Sequence, residues 1–265
     1  MNSKYKVVKF KKDKFENIDD FISIEEPLEI LLKYKEKDNW IINSLSITMR
    51  TPGHDEDLVR GFLHNEQIIQ NISDIDSIES FGEKVGQYKI QNKIQVTLNN
   101  SENINISKIK RDFITNSSCG VCGKSSLDAL EIIKKEKTFN SDPRLTKDII
   151  IQSPTILRNN QSEFSKTGGI HASGLFSSDG KLISLREDVG RHNALDKMIG
   201  NALNKNQIEA KNQFVTCSGR LNFELVQKVL MTNIGLMIGV GAPTSLAIDL
   251  ANRFDMTLIG FVKED

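Results

Sequence analysis

The chain has 265 residues, 38% of them apolar, with 35 basic and 35 acidic side chains, enough for a sizeable core in one large domain or two smaller ones. Balanced charge leaves no global field to draw it toward nucleic acid or an anionic membrane, no run near the start has signal-peptide character, and no charge-free run approaches the span of a bilayer, so a cytoplasmic location is expected. In that reducing compartment the three cysteines are expected to be reactive or buried, not disulfide-bonded.

Leu28 to Tyr34 and Ile41 to Met49 partly alternate apolar and polar residues, as half-buried strands do, with a polar turn from Lys35 to Asn39 between them. Arg50-Thr51-Pro52-Gly53-His54 then reads as a turn that feeds Asp55, Glu56 and Asp57 into a helix running through Leu58-Val59-Arg60-Gly61-Phe62-Leu63 and ending before Ile68-Ile69. Those acids are read as dipole complements and caps ahead of metal ligands, and His54 and His64 as surface or loop histidines. Tyr88 to Leu98 supplies a further strand on Ile90, Ile94 and Val96, so the first third forms a small sheet around one helix.

Next comes Ser118-Cys119-Gly120-Val121-Cys122-Gly123, with Lys108, Lys110, Arg111 and Lys124 around it and a helix opening predicted from Ser125. A cysteine before a helix N-terminus and among cations ionises more readily than a free thiol, and the flanking glycines let another molecule approach the sulfur. Persulfide or thiol transfer is the leading reading; a redox dithiol and a metal site, including one shared across a dimer, compete with it. Against zinc, the third cysteine, Cys217, falls in the apolar run Phe214-Val215-Thr216-Cys217, a buried strand where cysteine is a small core residue. Against a thioredoxin-type dithiol, the pair follows the polar run Thr115-Asn116-Ser117-Ser118 instead of a strand.

From about Asp142 helices and strands alternate. Helical spacing spans Lys147 to Phe164 despite Pro154, Lys166 to Phe176 turns into a strand, Ser178-Asp179-Gly180 signals a hairpin, and Lys181 to Arg186 is its second strand. Asp188 to Ile199 is a loop entering a helix, followed by strand Phe214–Cys217, helix Phe223–Thr232, strand Leu236–Val240, helix Ser245–Phe254 and strand Met256–Val262. Such alternation predicts a layered α/β domain whose helices cover a largely buried sheet. The boundaries expected are 1–112 for a smaller N-terminal α+β domain, 113–141 for the CxxC loop and a linking helix, and 142–265 for the α/β domain.

Several loops of this second domain fall at strand–helix junctions, where α/β sheets bind ligands. Gly168-Gly169 offers close backbone approach, and His171 reads as a core histidine or as a ligand or catalytic group. Glu187-Asp188 with Arg191-His192-Asn193 concentrates more functionality than a cap requires. Ser218-Gly219-Arg220 has the glycine, hydroxyl and guanidinium to hold a phosphate at a helix N-terminus, and Gly241-Ala242-Pro243-Thr244-Ser245 repeats the logic, with Thr244 or Ser245 also readable as an N-cap alone. An anionic, nucleotide-like ligand is expected.

Thr51-Pro52-Gly53 with Asp55-Glu56-Asp57-Leu58 and Gly61-Phe62, Cys119-Gly120-Val121-Cys122-Gly123, Thr167-Gly168-Gly169-Ile170-His171-Ala172, the run Arg186 to Lys197, Ser218-Gly219-Arg220, Ala242-Pro243-Thr244-Ser245 and Gly260-Phe261-Val262 stand in one order. From about residue 25 to the end, that series resembles the FdhD family, accessory sulfurtransferases of formate dehydrogenase. The resemblance implies a cytidine-deaminase-like layered α/β domain with a smaller α+β companion, and a homodimer. It also implies that the chain accepts sulfur from a cysteine desulfurase and delivers it to the molybdenum cofactor, bis(molybdopterin guanine dinucleotide), before that cofactor enters formate dehydrogenase. By the same resemblance Cys119 matches the persulfide-bearing cysteine, with Cys122 as its partner, and guanine-phosphate recognition falls to the second-domain loops. Residue type there nominates Gly169, His171, Arg191, Asn193, Ser218, Gly219 and Arg220 as contacts to the cofactor.

A zinc deaminase needs H-x-E followed by P-C-x-x-C. His171-Ala172-Ser173 lacks the glutamate and the CxxC precedes the histidine, so deamination is not expected, and neither is a permanently bound metal. Members of the family commonly continue past the Gly-Phe-Val strand into a basic and aromatic tail, whereas this sequence runs to Lys263-Glu264-Asp265, so Phe261, Val262 and Lys263 are expected to keep part of that cofactor contact. The competing reading is a non-catalytic chaperone that escorts the guanine-dinucleotide cofactor, with the CxxC serving dimer stability or redox sensing.

Overall fold

The structure, a computed structural model, describes residues 1–11, 13–36, 39–99 and 144–263. The Cys119–Cys122 motif and the expected boundaries at 112/113 and 141/142 lie outside the described residues.

Strands β1 (Asn2–Lys11) and β2 (Lys14–Ser23) form a two-stranded antiparallel ribbon that the sequence reading did not assign. Its alternation mixes lysines with aromatics, and Val8, Phe10 and Phe15 are exposed, so no apolar face marks it as core. Strands β3 (Glu26–Glu36), β4 (Asn39–Arg50), β5 (Ile75–Val85) and β6 (Ile90–Leu98) form a four-stranded sheet in the order β4-β3-β6-β5. Only β3 and β6 run parallel. β5 was also unassigned, because most of it is exposed and carries little apolar periodicity. The inner face of this sheet, with Leu28, Ile30, Leu32, Ile94 and Val96, packs on Leu58, Val59 and Leu63 of helix α1 (Asp55–Asn65).

The second sheet has the order β11-β10-β9-β7-β8, built from β7 (His171–Ser177), β8 (Leu182–Asp188), β9 (Gln213–Cys217), β10 (Leu236–Gly239) and β11 (Thr257–Ile259). β9, β10 and β11 are parallel, while β7 runs against both β8 and β9. Alternate residues of β9 serve two cores, as a pleated strand requires. Val215 and Cys217 face the core shared with Leu225, Val229, Ala247 and Leu250. Phe214 faces the core shared with Leu157 and Val262, and on the same face the Thr216 hydroxyl donates to Ser153 Oγ at 3.1 Å. A buried sheet with helices on both faces is what the alternation predicted.

The helix expected over 147–164 is two, α2 (Lys147–Asn159) and α3 (Ser162–Thr167). Pro154 sits inside α2 and has no N–H for the Ile150 carbonyl, but the Ser153 hydroxyl donates to that carbonyl at 3.2 Å and offsets the loss. α4 (Arg191–Asn204), α5 (Phe223–Met231) and α6 (Ser245–Arg253) follow β8, β9 and β10. The last strand ends at Ile259, short of the expected Val262: a Cβ on Gly260 would come 2.6 Å from Pro243 Cδ, and Phe261 takes φ 58°, so the chain leaves the ladder there.

α1 crosses α4 glycine to backbone. A Cβ on Gly61 would lie 1.9 Å from the Asp196 carbonyl oxygen, and one on Gly200 1.9 Å from that of Asp57. Only hydrogen fits at either position, and the close crossing joins the two sheets' cores into one body.

Candidate functional site

The C-terminal ends of β9, β10 and β11 lie side by side, and the loops leaving them are stitched together. Val240 N donates to Cys217 O (3.2 Å), Leu221 N to Ala242 O (3.0 Å), Gly241 N to Gly219 O (3.2 Å) and Phe261 N to Gly241 O (3.2 Å). Because β7 is antiparallel to β9, its first residue, His171, reaches the same end of the sheet, as does the β8–α4 turn. This is the edge at which open α/β sheets take ligands.

His171, Ser218, Gly219 and Arg191 meet there. His171 Nδ1 is 3.4 Å from Ser218 Oγ, which also accepts from Ala172 N at 2.9 Å. A Cβ on Gly219 would lie 3.3 Å from His171 Nδ1 and 3.7 Å from Arg191 Cδ, so the glycine lets backbone approach both side chains. Burial of the His171 ring pulls its pKa below the ordinary value, Arg191 and His192 add to that, and Asp188 opposes it. The Arg191 Nε is buried and makes no hydrogen bond in the described structure. A neutral imidazole beside a guanidinium with a spare donor suits an anionic oxygen.

Two of the three helices starting at this edge lack a side-chain cap: α4 has Gly190 at its N-cap position, and Thr244, read from sequence as a possible N-cap, occupies that position for α6 without a capping bond. α5 is capped by Asn222 Oδ1, which accepts from Leu225 N at 3.2 Å. Uncapped N-termini leave amides and a positive dipole end for an anion. His192 Nε2 meets Glu224 Oε2 at 2.8 Å, and that bond holds the Glu224 carboxyl below the usual carboxylate range.

The other nominated residues are placed differently. Asn193, 8% exposed, spends its amide away from the cluster: Nδ2 donates to Met49 O (2.8 Å), Thr48 Oγ1 (3.1 Å) and Asp188 Oδ1 (3.4 Å). Gly169 is exposed after the left-handed Gly168, with its N–H 3.4 Å from Thr167 Oγ1. Arg220 and Lys263 are exposed at the rim, Val262 is buried in the core, and Phe261 is 66% exposed although its backbone is tied to Gly241.

The acids near the start of α1 are ion-pair partners and not caps. Arg50 Nε and Nη2 reach Asp55 at 3.0 and 2.9 Å, Arg186 Nε and Nη2 reach Asp57 Oδ2 at 2.9 and 2.8 Å, and His54, with φ 57°, occupies the cap position without a capping bond. Glu187 bonds the first amides of α3, Glu163 N and Phe164 N, both at 2.9 Å. Sequence reasoning did not single out Thr51 or Lys197 by role. Lys197 is 1% exposed, with Nζ 2.7 Å from both Asp188 Oδ2 and Thr51 O. It falls among ten consecutive buried residues of α4, Asn193 to Ala202, and the signal in the sequence was a lysine set between Ala194-Leu195 and Met198-Ile199.

Among the described residues no group of three or more His, Cys, Asp or Glu side chains is placed to hold a metal ion, and no helix is long and apolar enough to cross a membrane. Cys217 is buried, 3.3 Å from Ser173 Oγ, and burial pushes its thiol up to about 12.

Fold and site define a mixed α/β protein that gathers His171, Arg191, Ser218 and Gly219 at one edge of its five-stranded sheet. Comparison with known proteins makes this specific: the FdhD/NarQ family model matches residues 24–265, and the chain belongs to that family. It is 40% identical over 245 residues to the sulfur carrier protein FdhD of Sulfurisphaera tokodaii, covering 92% of this chain and 87% of that one. The sulfur carrier protein FdhD of Streptomyces coelicolor is 38% identical over 260 residues, covering 97% and 89%. A crystal structure from Desulfotalea psychrophila, described as a formate dehydrogenase accessory protein, shares the fold at a TM-score of 0.66 and 22% identity, covering 99% of this chain and 93% of that one.

Proposed function

We propose that the chain is a sulfur carrier: it accepts sulfur from a cysteine desulfurase as a persulfide on Cys119 and delivers it to the guanine-dinucleotide molybdenum cofactor that formate dehydrogenase requires. The observation that carries the reading is the roughly 40% identity, over most of both chains, to proteins described as sulfur carriers. Within that likeness the cysteine can be argued from chemistry. Of three cysteines, Cys217 is buried and protonated at any ordinary pH, which leaves the Cys119-Gly120-Val121-Cys122 pair. The thiolate of Cys119 attacks the outer sulfur of the donor persulfide. The donor's S–S bond breaks, its thiolate leaves, and an S–S bond forms on Cys119 with no net oxidation. Cys122 is its partner.

The cofactor is cargo, and its anionic diphosphate suits the edge built by His171, Arg191, Ser218 and Gly219, with Phe261, Val262, Lys263, Arg220 and Gly169 toward the rim. Asn193 serves that edge from behind. The helix-covered mixed sheet supports the deaminase-like layering, and a hydrophobic cluster against each sheet supports two structural halves, with the boundaries at 112 and 142 taken from the sequence. A cytoplasmic homodimer that meets both the desulfurase and formate dehydrogenase completes the reading.

Formate dehydrogenase activity in cells that depend on this chain tests it. Cys119→Ala is expected to reduce that activity to background; retained activity would favour a chaperone that only escorts the cofactor.

A further inference from the structure

The turn that carries Arg191 is held by a residue from the other half of the chain. Thr51 follows β4 and is 3% exposed, and all three of its polar groups are spent on the 188–197 segment. Its N–H donates to Asp188 Oδ2 at 3.1 Å, its hydroxyl accepts from Val189 N at 3.1 Å, and its carbonyl accepts from Lys197 Nζ at 2.7 Å. Asp188 in turn takes Gly190 N at 2.9 Å through its other oxygen. Asn193, two residues beyond Arg191, is moored to Thr48 and to the Met49 carbonyl, the residues just before Thr51.

Residues on both sides of Arg191 are therefore fixed by the end of β4, while the helix itself supplies only an uncapped Gly190. We infer that Thr51 is a positioning residue for the anion edge: its hydroxyl sets the Val189–Gly190 backbone, and through it the place of Arg191 opposite Gly219 and His171. The inference rests on reading that edge as the cofactor's diphosphate site. A guanidinium delivers its forked donors only when its stem is in register, so a brace acting on the stem changes affinity without touching ligand.

Calorimetric titration with guanosine diphosphate, on the full-length protein well below its melting temperature, tests this. Thr51→Val keeps the shape and leaves Val189 N–H without its acceptor; a weakening of about 5- to 20-fold is expected from one lost buried hydrogen bond, with Thr51→Ser close to the wild type. Sulfur loading of Cys119 by the desulfurase should be unchanged in both. Wild-type affinity in Thr51→Val, even with a lowered melting temperature, would overturn the inference, as would equal weakening in Thr51→Ser. A wild type that takes up sulfur but binds no guanosine diphosphate would defeat the diphosphate reading of the edge, and the brace with it. If Thr51→Val does not fold, Thr48→Val, which removes only the hydroxyl contacts to Asn193, is expected to weaken binding about 2- to 5-fold, and unchanged affinity would count against the brace.

Discussion

At the scale of single residues, protonation separates groups that look alike in sequence. The His171 ring is held below the ordinary histidine value by burial and further by Arg191, whereas the His54 ring is exposed at the surface. A group with a lowered folded pKa binds fewer protons folded than unfolded, so its contribution to stability is whole above the unfolded value of about 6.5 and is lost as pH falls from there through the lowered folded value. Denaturant midpoints measured stepwise below about pH 6.5 are expected to decline, and His171→Gln should flatten part of that decline; an unchanged slope would show that His171 titrates normally. Asn193 makes the opposite point about legibility. Its amide reads equally as a ligand contact or a tether, and the partners that decide for a tether lie 144 and 145 residues away in sequence, beyond any local pattern.

At the scale of elements, most of the five-stranded sheet and its helices were legible because buried strands bounded by loops alternate with amphipathic helices. What escaped did so for identifiable reasons. The β1–β2 ribbon and β5 have few residues committed to a core, so burial left no stripe. The break between α2 and α3 at Asn160-Gln161 carries no proline or glycine, while Pro154, the conventional breaker, is tolerated because Ser153 covers the freed carbonyl. Glycines on helices carried a message that sequence alone did not decode. Gly200 and Gly61 lie where α4 and α1 touch backbone to backbone, so Gly200→Ala should force the helices apart despite the better helix propensity of alanine. We expect a loss of about 1–3 kcal/mol, as overpacking typically costs, read as a fall in the denaturation midpoint. A neutral or stabilising effect would contradict a backbone-to-backbone crossing at Gly200.

At the scale of the whole molecule, two sheets with separate cores are locked by ion pairs and hydrogen bonds that cross between them: Arg186 to Asp57, Lys197 to Thr51, and Asn65 to Asp196. Asp196 is fully buried, which pushes its carboxyl up, and Lys228, 2.8 Å from both oxygens, opposes that. Breaking such a pair from one side leaves an uncompensated charge, so the junction is expected to behave as one rigid block and not as a hinge. Many of the motif residues serve this junction, and a smaller set, His171, Arg191, Ser218 and Gly219, meets at the sheet edge proposed to take the cofactor's diphosphate. The proposed sulfur-bearing role goes to the Cys119–Cys122 pair because burial keeps the Cys217 thiol protonated.

Whether sulfur moves through Cys119 is decided by intact-protein mass spectrometry after incubation with a cysteine desulfurase and cysteine. The wild type should gain one sulfur mass, removable by a thiol reductant and absent in Cys119→Ala, with peptide mapping placing it on the Cys119 peptide. Absence of any adduct on the folded, reduced wild type with its own desulfurase, or an adduct that survives Cys119→Ala unchanged, would contradict the claim.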